Sequence, residues 1–138
     1  MTKVKKTYRQ ITSKEICQTY ELLLDENLVS FPLSEGGKSN VEAIVANINN
    51  SYFGTEIYKT IQEKSVAYLY FLIKDHPFTD GNKRTACLVF KIFCFFNNLE
   101  PNFDDFKLDE LAVFVERVKE DNHQKVIAVI ADFIFNHK

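Results

Sequence analysis

The 138-residue chain has no tryptophan, one methionine, three prolines, three cysteines and four glycines. So few glycines and prolines leave little material for the many tight turns of an all-β fold. Cys17, Cys87 and Cys94 are odd in number and sit inside apolar helical patterns, which excludes a disulfide framework. They read as reduced thiols filling core positions, not as nucleophiles. Long hydrophobic runs are missing too. The most apolar window, Ala86 to Phe96, spans eleven residues and contains Lys91, whereas a membrane span needs about 18 or more. No charge of one sign dominates. Seventeen Lys and Arg against nineteen Asp and Glu leave a net charge of -2, which argues against a nucleic-acid binder with a basic face. Thr2 to Gln10 is polar with no apolar run behind it, so no signal peptide is expected and the chain reads as cytoplasmic.

What is present is enough for a core. Hydrophobic residues make up 46% and charged residues 26%, with 13 Phe and 6 Tyr, the profile of one compact domain over residues 1–138. The only basic cluster, Lys3, Lys5, Lys6 and Arg9, reads as a loose solvated segment within residues 1–10. Six helical segments follow. Thr12-Ser13-Lys14-Glu15 is a capping box that opens a helix carrying Ile16, Tyr20, Leu23 and Leu24. Asn27 to Ser39 holds Pro32 and Gly36-Gly37, the composition of an extended stretch or small hairpin. A second capping box at Ser39 to Glu42 leads the stripe Val41, Ile44, Val45 and Ile48. The third helix, from Thr55 or Thr60 to Asp75, carries Ile61, Tyr68, Leu69 and Leu72 and stops before Pro77. The fourth runs from Asn82 to about Asn98. It is apolar at every position from 87 to 96 except Lys91, which predicts a place at the centre of the bundle. Leu108, Leu111, Val115 and Val118 mark a fifth helix, and Val126, Val129, Ile130 and Phe133 a sixth. The expected fold class is all-α, a helical bundle with a possible short hairpin flap.

The chemistry is concentrated in one polar loop between the third and fourth helices. It reads His76-Pro77-Phe78-Thr79-Asp80-Gly81-Asn82-Lys83-Arg84-Thr85-Ala86. A helix start offers unpaired N–H groups and a positive dipole end, which together suit an anion. Gly81 permits close backbone approach or a positive φ. Lys83 and Arg84 add charge for a phosphate. Asp80 is suited to a Mg²⁺ that bridges phosphates, and His76 to taking a proton from a hydroxyl near neutral pH. A capping loop alone needs one Asp or Asn, not His76, Asp80, Asn82, Lys83 and Arg84 together. Phe78 is expected to plug into the core and fix the loop.

These residues resemble the signature of the Fic/Doc superfamily, HxFx(D/E)GN(G/K)R, at His76, Phe78, Asp80, Gly81, Asn82, Lys83 and Arg84. The helical layout and length resemble a stand-alone Doc (death-on-curing) domain across nearly the whole chain. Lys83 stands where Fic AMP-transferases carry glycine, and Cys87 where they carry a second arginine; the Asn-Lys-Arg-Thr-Ala run at 82–86 is similar to the Doc subgroup. The resemblance implies a small all-α fold, ATP as co-substrate and Mg²⁺ held at Asp80. It implies His76 as general base, with Gly81, Asn82, Lys83 and Arg84 binding the phosphates and Arg84 stabilising developing charge. It further implies a toxin that transfers the γ-phosphate to a protein hydroxyl, with elongation factor Tu as target class and an antitoxin as partner in trans. Transfer of AMP by the same loop, and a catalytically silent binding module, are the alternatives. A histidine at a helix C-terminus is favoured as the cation, whereas Lys83, Arg84 and Mg²⁺ would oppose that charge.

Other candidates point to structure. Phe31 to Asn40 lies where the resemblance implies a flap that aligns a target peptide by strand-like pairing. His123 and His137 read as surface residues. Asp104, Asp105, Asp109 and Glu110 read as the acidic start of a helix. The self-inhibitory S/TxxxE(G/N) pattern has no clean match, since Glu35-Gly36 has Phe31 four residues earlier.

Overall fold

The computed structural model describes residues 8–52 and 54–136. Lys3, Lys5, Lys6 and His137 lie outside them. The fold is all-helical, with α1 (Ser13–Asp25), α2 (Glu35–Asn49), α3 (Ile61–Lys74), α4 (Asn82–Phe96), α5 (Asp105–Arg117) and α6 (His123–Asn136). A two-residue pair of antiparallel strands, β1 (Ser51–Tyr52) and β2 (Thr55–Glu56), interrupts the series.

Short polar residues start the helices where their side chains satisfy first-turn N–H groups. Thr12 and Glu15 form the reciprocal capping box of α1. Thr60 caps α3 through Glu63 N, and Asp104 caps α5 through Lys107 N. The second helix differs from expectation. It begins at Glu35, capped by Ser34, and not at Ser39. Gly36 and Gly37 therefore form its first turn and make no hairpin. Gly37 is buried, and a Cβ there would sit 3.1 Å from the Pro77 carbonyl oxygen, so the bare backbone lets α2 press against the polar loop.

The centre of the bundle is α3, not α4. Every residue of α3 from Lys64 to Ile73 is buried, and α2, α4, α5 and α6 all pack on it. Its central position is disguised in the sequence by polar side chains whose polar atoms all find partners. Tyr68 Oη donates to the Ile11 carbonyl at 3.0 Å, Tyr70 Oη meets His123 Nδ1 at 2.6 Å, and Lys64 Nζ donates to Glu56 at 3.2 Å. Helix α4 buries Thr85, Ala86, Val89, Phe90, Phe93 and Cys94, while Phe95 is 80% exposed. Helix α6 is also rotated from the expected stripe. It buries Val126, Ile127, Ile130, Ala131 and Ile134 and leaves Val129 and Phe133 outside.

Arg9 is docked, contrary to its reading as part of a loose segment. Its backbone N–H donates to Asn97, its guanidinium pairs with Glu15 at 2.6 Å and lies over the Phe96 ring. The cysteines are free thiols, with Cys94 buried; burial pushes the Cys94 thiol up to about 12, with a hydrogen bond involving Ser65 acting the other way.

Phe78 fills the core as expected. Its ring stacks on Tyr20 with centroids 4.2 Å apart and planes 16° apart. Phe78→Ala is predicted to cost about 3–5 kcal/mol, measured as a lower urea midpoint at unchanged slope. A midpoint equal to wild type would contradict the plug.

Candidate functional site

The two helices that bound the polar loop are both embedded, so the loop is held from each end. Helix α3 is capped at Asp75 and the chain then turns through His76, whose φ is +46°. A non-glycine residue in this left-handed region is strained, at a cost of roughly 1–3 kcal/mol. Pro77 and Phe78 return to the interior. The Asn82 side chain then closes the turn on Phe78, accepting from its N–H at 3.0 Å and donating to its C=O at 2.9 Å. Gly81 supplies the N-cap of α4 with φ +76° and no side-chain cap bond. The first-turn N–H groups of α4 thus start without a capping side chain, and the positive end of the dipole is left for an anion.

Gly81 has both properties expected of it. Its φ is left-handed, and an added Cβ would lie 2.2 Å from Val29 Cγ1. This close approach brings in residues just before Phe31 to Asn40, the stretch where the resemblance implies a strand-pairing flap. No strand forms there. The small hairpin lies at residues 51–56, beside the first turn of α3 through the Glu56–Lys64 contact, about 20 Å of helix from His76. Leu28 to Phe31 instead form an irregular, bent strap bound to the site almost residue by residue. Leu28 O accepts from Arg84 Nη1 at 2.6 Å, Val29 fills the space over Gly81, Ser30 N donates to Asp80 Oδ2 at 3.3 Å, and Phe31 O accepts from the Tyr20 hydroxyl. Polar backbone groups, not strand propensity, hold this strap.

His76, Asp80, Gly81, Asn82, Lys83 and Arg84 all line a single open cleft of about 920 Å³. The charged side chains among them are exposed. Helix α5 forms the facing wall with Leu108, Asp109, Ala112, Val113 and Glu116. One contact was not legible from spacing: Lys83 Nζ pairs with Glu116 at 3.1 Å. Lys74, at the end of α3, holds that end of α5 by donating to the carbonyls of Glu116 and Val118. A phosphate at the α4 start would compete with Glu116 for the Lys83 ammonium. Asp109, expected only as part of an acidic helix start, also faces this cleft.

The electrostatics around the loop are mixed in sign. Burial pushes the Tyr20 hydroxyl up, and the Asp80 charge adds to the effect. Burial also raises the Asp75 carboxyl, while His123 and His76 oppose that shift. Among the described residues no group of three or more His, Cys, Asp and Glu side chains is arranged to hold a metal. A single loop carboxylate is nevertheless the donor set that Mg²⁺ uses when phosphates and water complete its shell. Asp80 fits that role and does not form a protein-only cage.

A family model for the Fic/DOC family matches residues 10–94. No curated protein and no solved structure matches the chain. Among the described residues, no helix is long and apolar enough to cross a membrane.

The contact of Gly81 with Val29 yields a double-mutant test. Gly81→Ala is predicted to lower the melting temperature through both the clash and the left-handed φ. Adding Val29→Ala should restore only part of the loss, leaving about 1–2 kcal/mol of backbone cost. Full additivity of the two losses, measured by denaturant unfolding, would show that the two residues are not in contact.

Proposed function

The chain belongs to the Fic/DOC family, whose members are generally protein-modifying transferases, and from that premise we propose that it transfers the γ-phosphate of ATP to a hydroxyl of a target protein. The observation that carries this reading is the convergence of His76, Asp80, Lys83 and Arg84 on one cleft at an α4 start with no side-chain cap. Such a start binds phosphate oxygens with backbone N–H groups. Arg84 and Lys83 add positive charge where negative charge builds during transfer, usually the largest catalytic contribution. Mg²⁺, when bound between Asp80 and the phosphates, would neutralise charge on the leaving group.

His76 has the exposed position that a base for an incoming protein substrate requires. In its neutral form it accepts the proton of the target hydroxyl. The hydroxyl oxygen bonds to the γ-phosphorus, the bond from that phosphorus to the β–γ bridging oxygen breaks, and ADP leaves. The strained backbone at His76 is consistent with a side chain held for function and not for packing.

Phosphate is favoured over AMP by two residues. Lys83 replaces the glycine, and Cys87 the second arginine, of the AMP-transferring pattern. Cys87 lines the cleft one turn beyond Arg84, so that face carries one guanidinium and one ammonium in place of a double-arginine clamp. On the same resemblance the target is a translation factor of the elongation factor Tu class. The enzyme acts in the cytoplasm as a toxin, restrained by an antitoxin in trans.

The test is intact-mass analysis of elongation factor Tu after incubation with the enzyme and Mg-ATP. The expected product gains one phosphoryl group, and His76→Ala abolishes the gain while retaining ATP binding. A product heavier by AMP would overturn the choice of transferred group. A folded wild type that binds no Mg-ATP by calorimetry would instead support a silent binding module.

A further inference from the structure

The cleft extends well past the polar loop, and its far half has a different chemistry. Helices α4 and α5 run antiparallel along it. Lys83 at the start of α4 meets Glu116 near the end of α5, and Phe90 stacks on Phe103 just before α5 begins. From Lys83 to Lys91 is eight residues, and from Glu116 back to Asp109 is seven. At 1.5 Å per residue both rises are about 11–12 Å. Lys91 and Asp109 therefore stand at similar depth at the end away from the phosphate loop, and both line the cleft. The floor between the two ends is small and apolar, formed by Cys87, Leu88, Ala112 and Val113.

On the reading of this cleft as an ATP site, we propose that its α4–α5 half takes the nucleoside and that Asp109 selects a ribonucleotide by accepting hydrogen bonds from the ribose hydroxyls. The Asp109 carboxylate stands at the end of the cleft away from Lys83 and Arg84, the two cations of the polar loop. It accepts hydrogen bonds and donates none when ionised. A vicinal diol supplies two O–H donors to its two oxygens, the same chemistry by which an acidic residue holds a ribose in dinucleotide sites. Asp109 is exposed and makes no hydrogen bond or ion pair among the described residues, so its acceptors are available to a ligand. The separation of about two helical turns leaves room for the triphosphate before the sugar. The floor of Leu88, Ala112 and Val113 supplies an apolar surface beside the sugar and base.

Calorimetry on the full chain with Mg²⁺ and three probes tests this: ATP, 2′,3′-dideoxy-ATP and inorganic tripolyphosphate. Wild type is expected to bind ATP at least about tenfold more tightly than the dideoxy nucleotide. Asp109→Asn should remove that preference while leaving tripolyphosphate affinity within about twofold of wild type. Equal affinity of wild type for ATP and dideoxy-ATP overturns the proposal and leaves the phosphate site standing. An Asp109→Asn variant that weakens all three probes alike overturns it as well, since the carboxylate would then act on the fold or on the phosphates. A folded wild type that binds none of the three removes the nucleotide reading and this inference with it. Because the first comparison uses wild type alone, it does not depend on any variant folding.

Discussion

The two hydrogen bonds between the Asn82 amide and the backbone of Phe78 are the constraint on which the rest of the site depends. They close a turn of only a few residues between two buried helices. Closing it keeps the Phe78 ring stacked on Tyr20, and Tyr20 in turn holds the strap through Phe31. It also leaves Gly81 as the N-cap, so no side chain occupies the start of α4. The residue type that would ordinarily cap a helix is used one position later, inside the turn. The proposed anion site rests on that displacement, because the first N–H groups then lack the partner a capping Ser or Asp would provide.

The cleft is lined by α1, α3, α4 and α5, and its charges come from the polar loop, α4 and α5. Helix α3 delivers His76 and uses Lys74 to hold the end of α5. Helix α4 delivers Lys83 and Arg84 from its first turn, and α5 brings Asp109 and Glu116 on one face, seven residues apart. Lys83 is already paired with Glu116. That exposed pair is worth little in stability, about 0–1 kcal/mol, so a polyphosphate can draw the ammonium away at small cost. Arg84 donates to Leu28 in the same way. The cations that would grip the phosphates are held in advance by weak, exchangeable contacts.

The candidate loop was legible in the sequence because its polar residues are contiguous and exceed what the cap of one helix requires. The helices were legible from capping residues and apolar spacing at α1, α3 and α5. What could not be read was long-range. Glu116 and Lys83 are 33 residues apart, and no local pattern marks either as a partner of the other. The start of α2 was misplaced because Gly36-Gly37 signals a turn locally, whereas close packing against Pro77 accounts for Gly37. For the strap, composition leaves an extended stretch and a small hairpin both open, because its hydrogen bonds go to side chains of α1, α4 and the loop and alternation along the segment carries no trace of them. Helix α4 seemed more central than α3 because apolar composition was weighed above the internal partners available to Tyr68, Tyr70 and Lys64.

The central claim is that the uncapped start of α4 receives the transferable phosphate of ATP, with His76 beside it. A crystal structure with Mg²⁺ and a non-hydrolysable ATP analogue measures this directly. The account predicts the γ-phosphate on the backbone N–H groups of Asn82, Lys83 and Arg84, nearer to the His76 ring than either of the other two phosphates. An α-phosphate in that position, or a nucleotide bound away from this cleft, would contradict it.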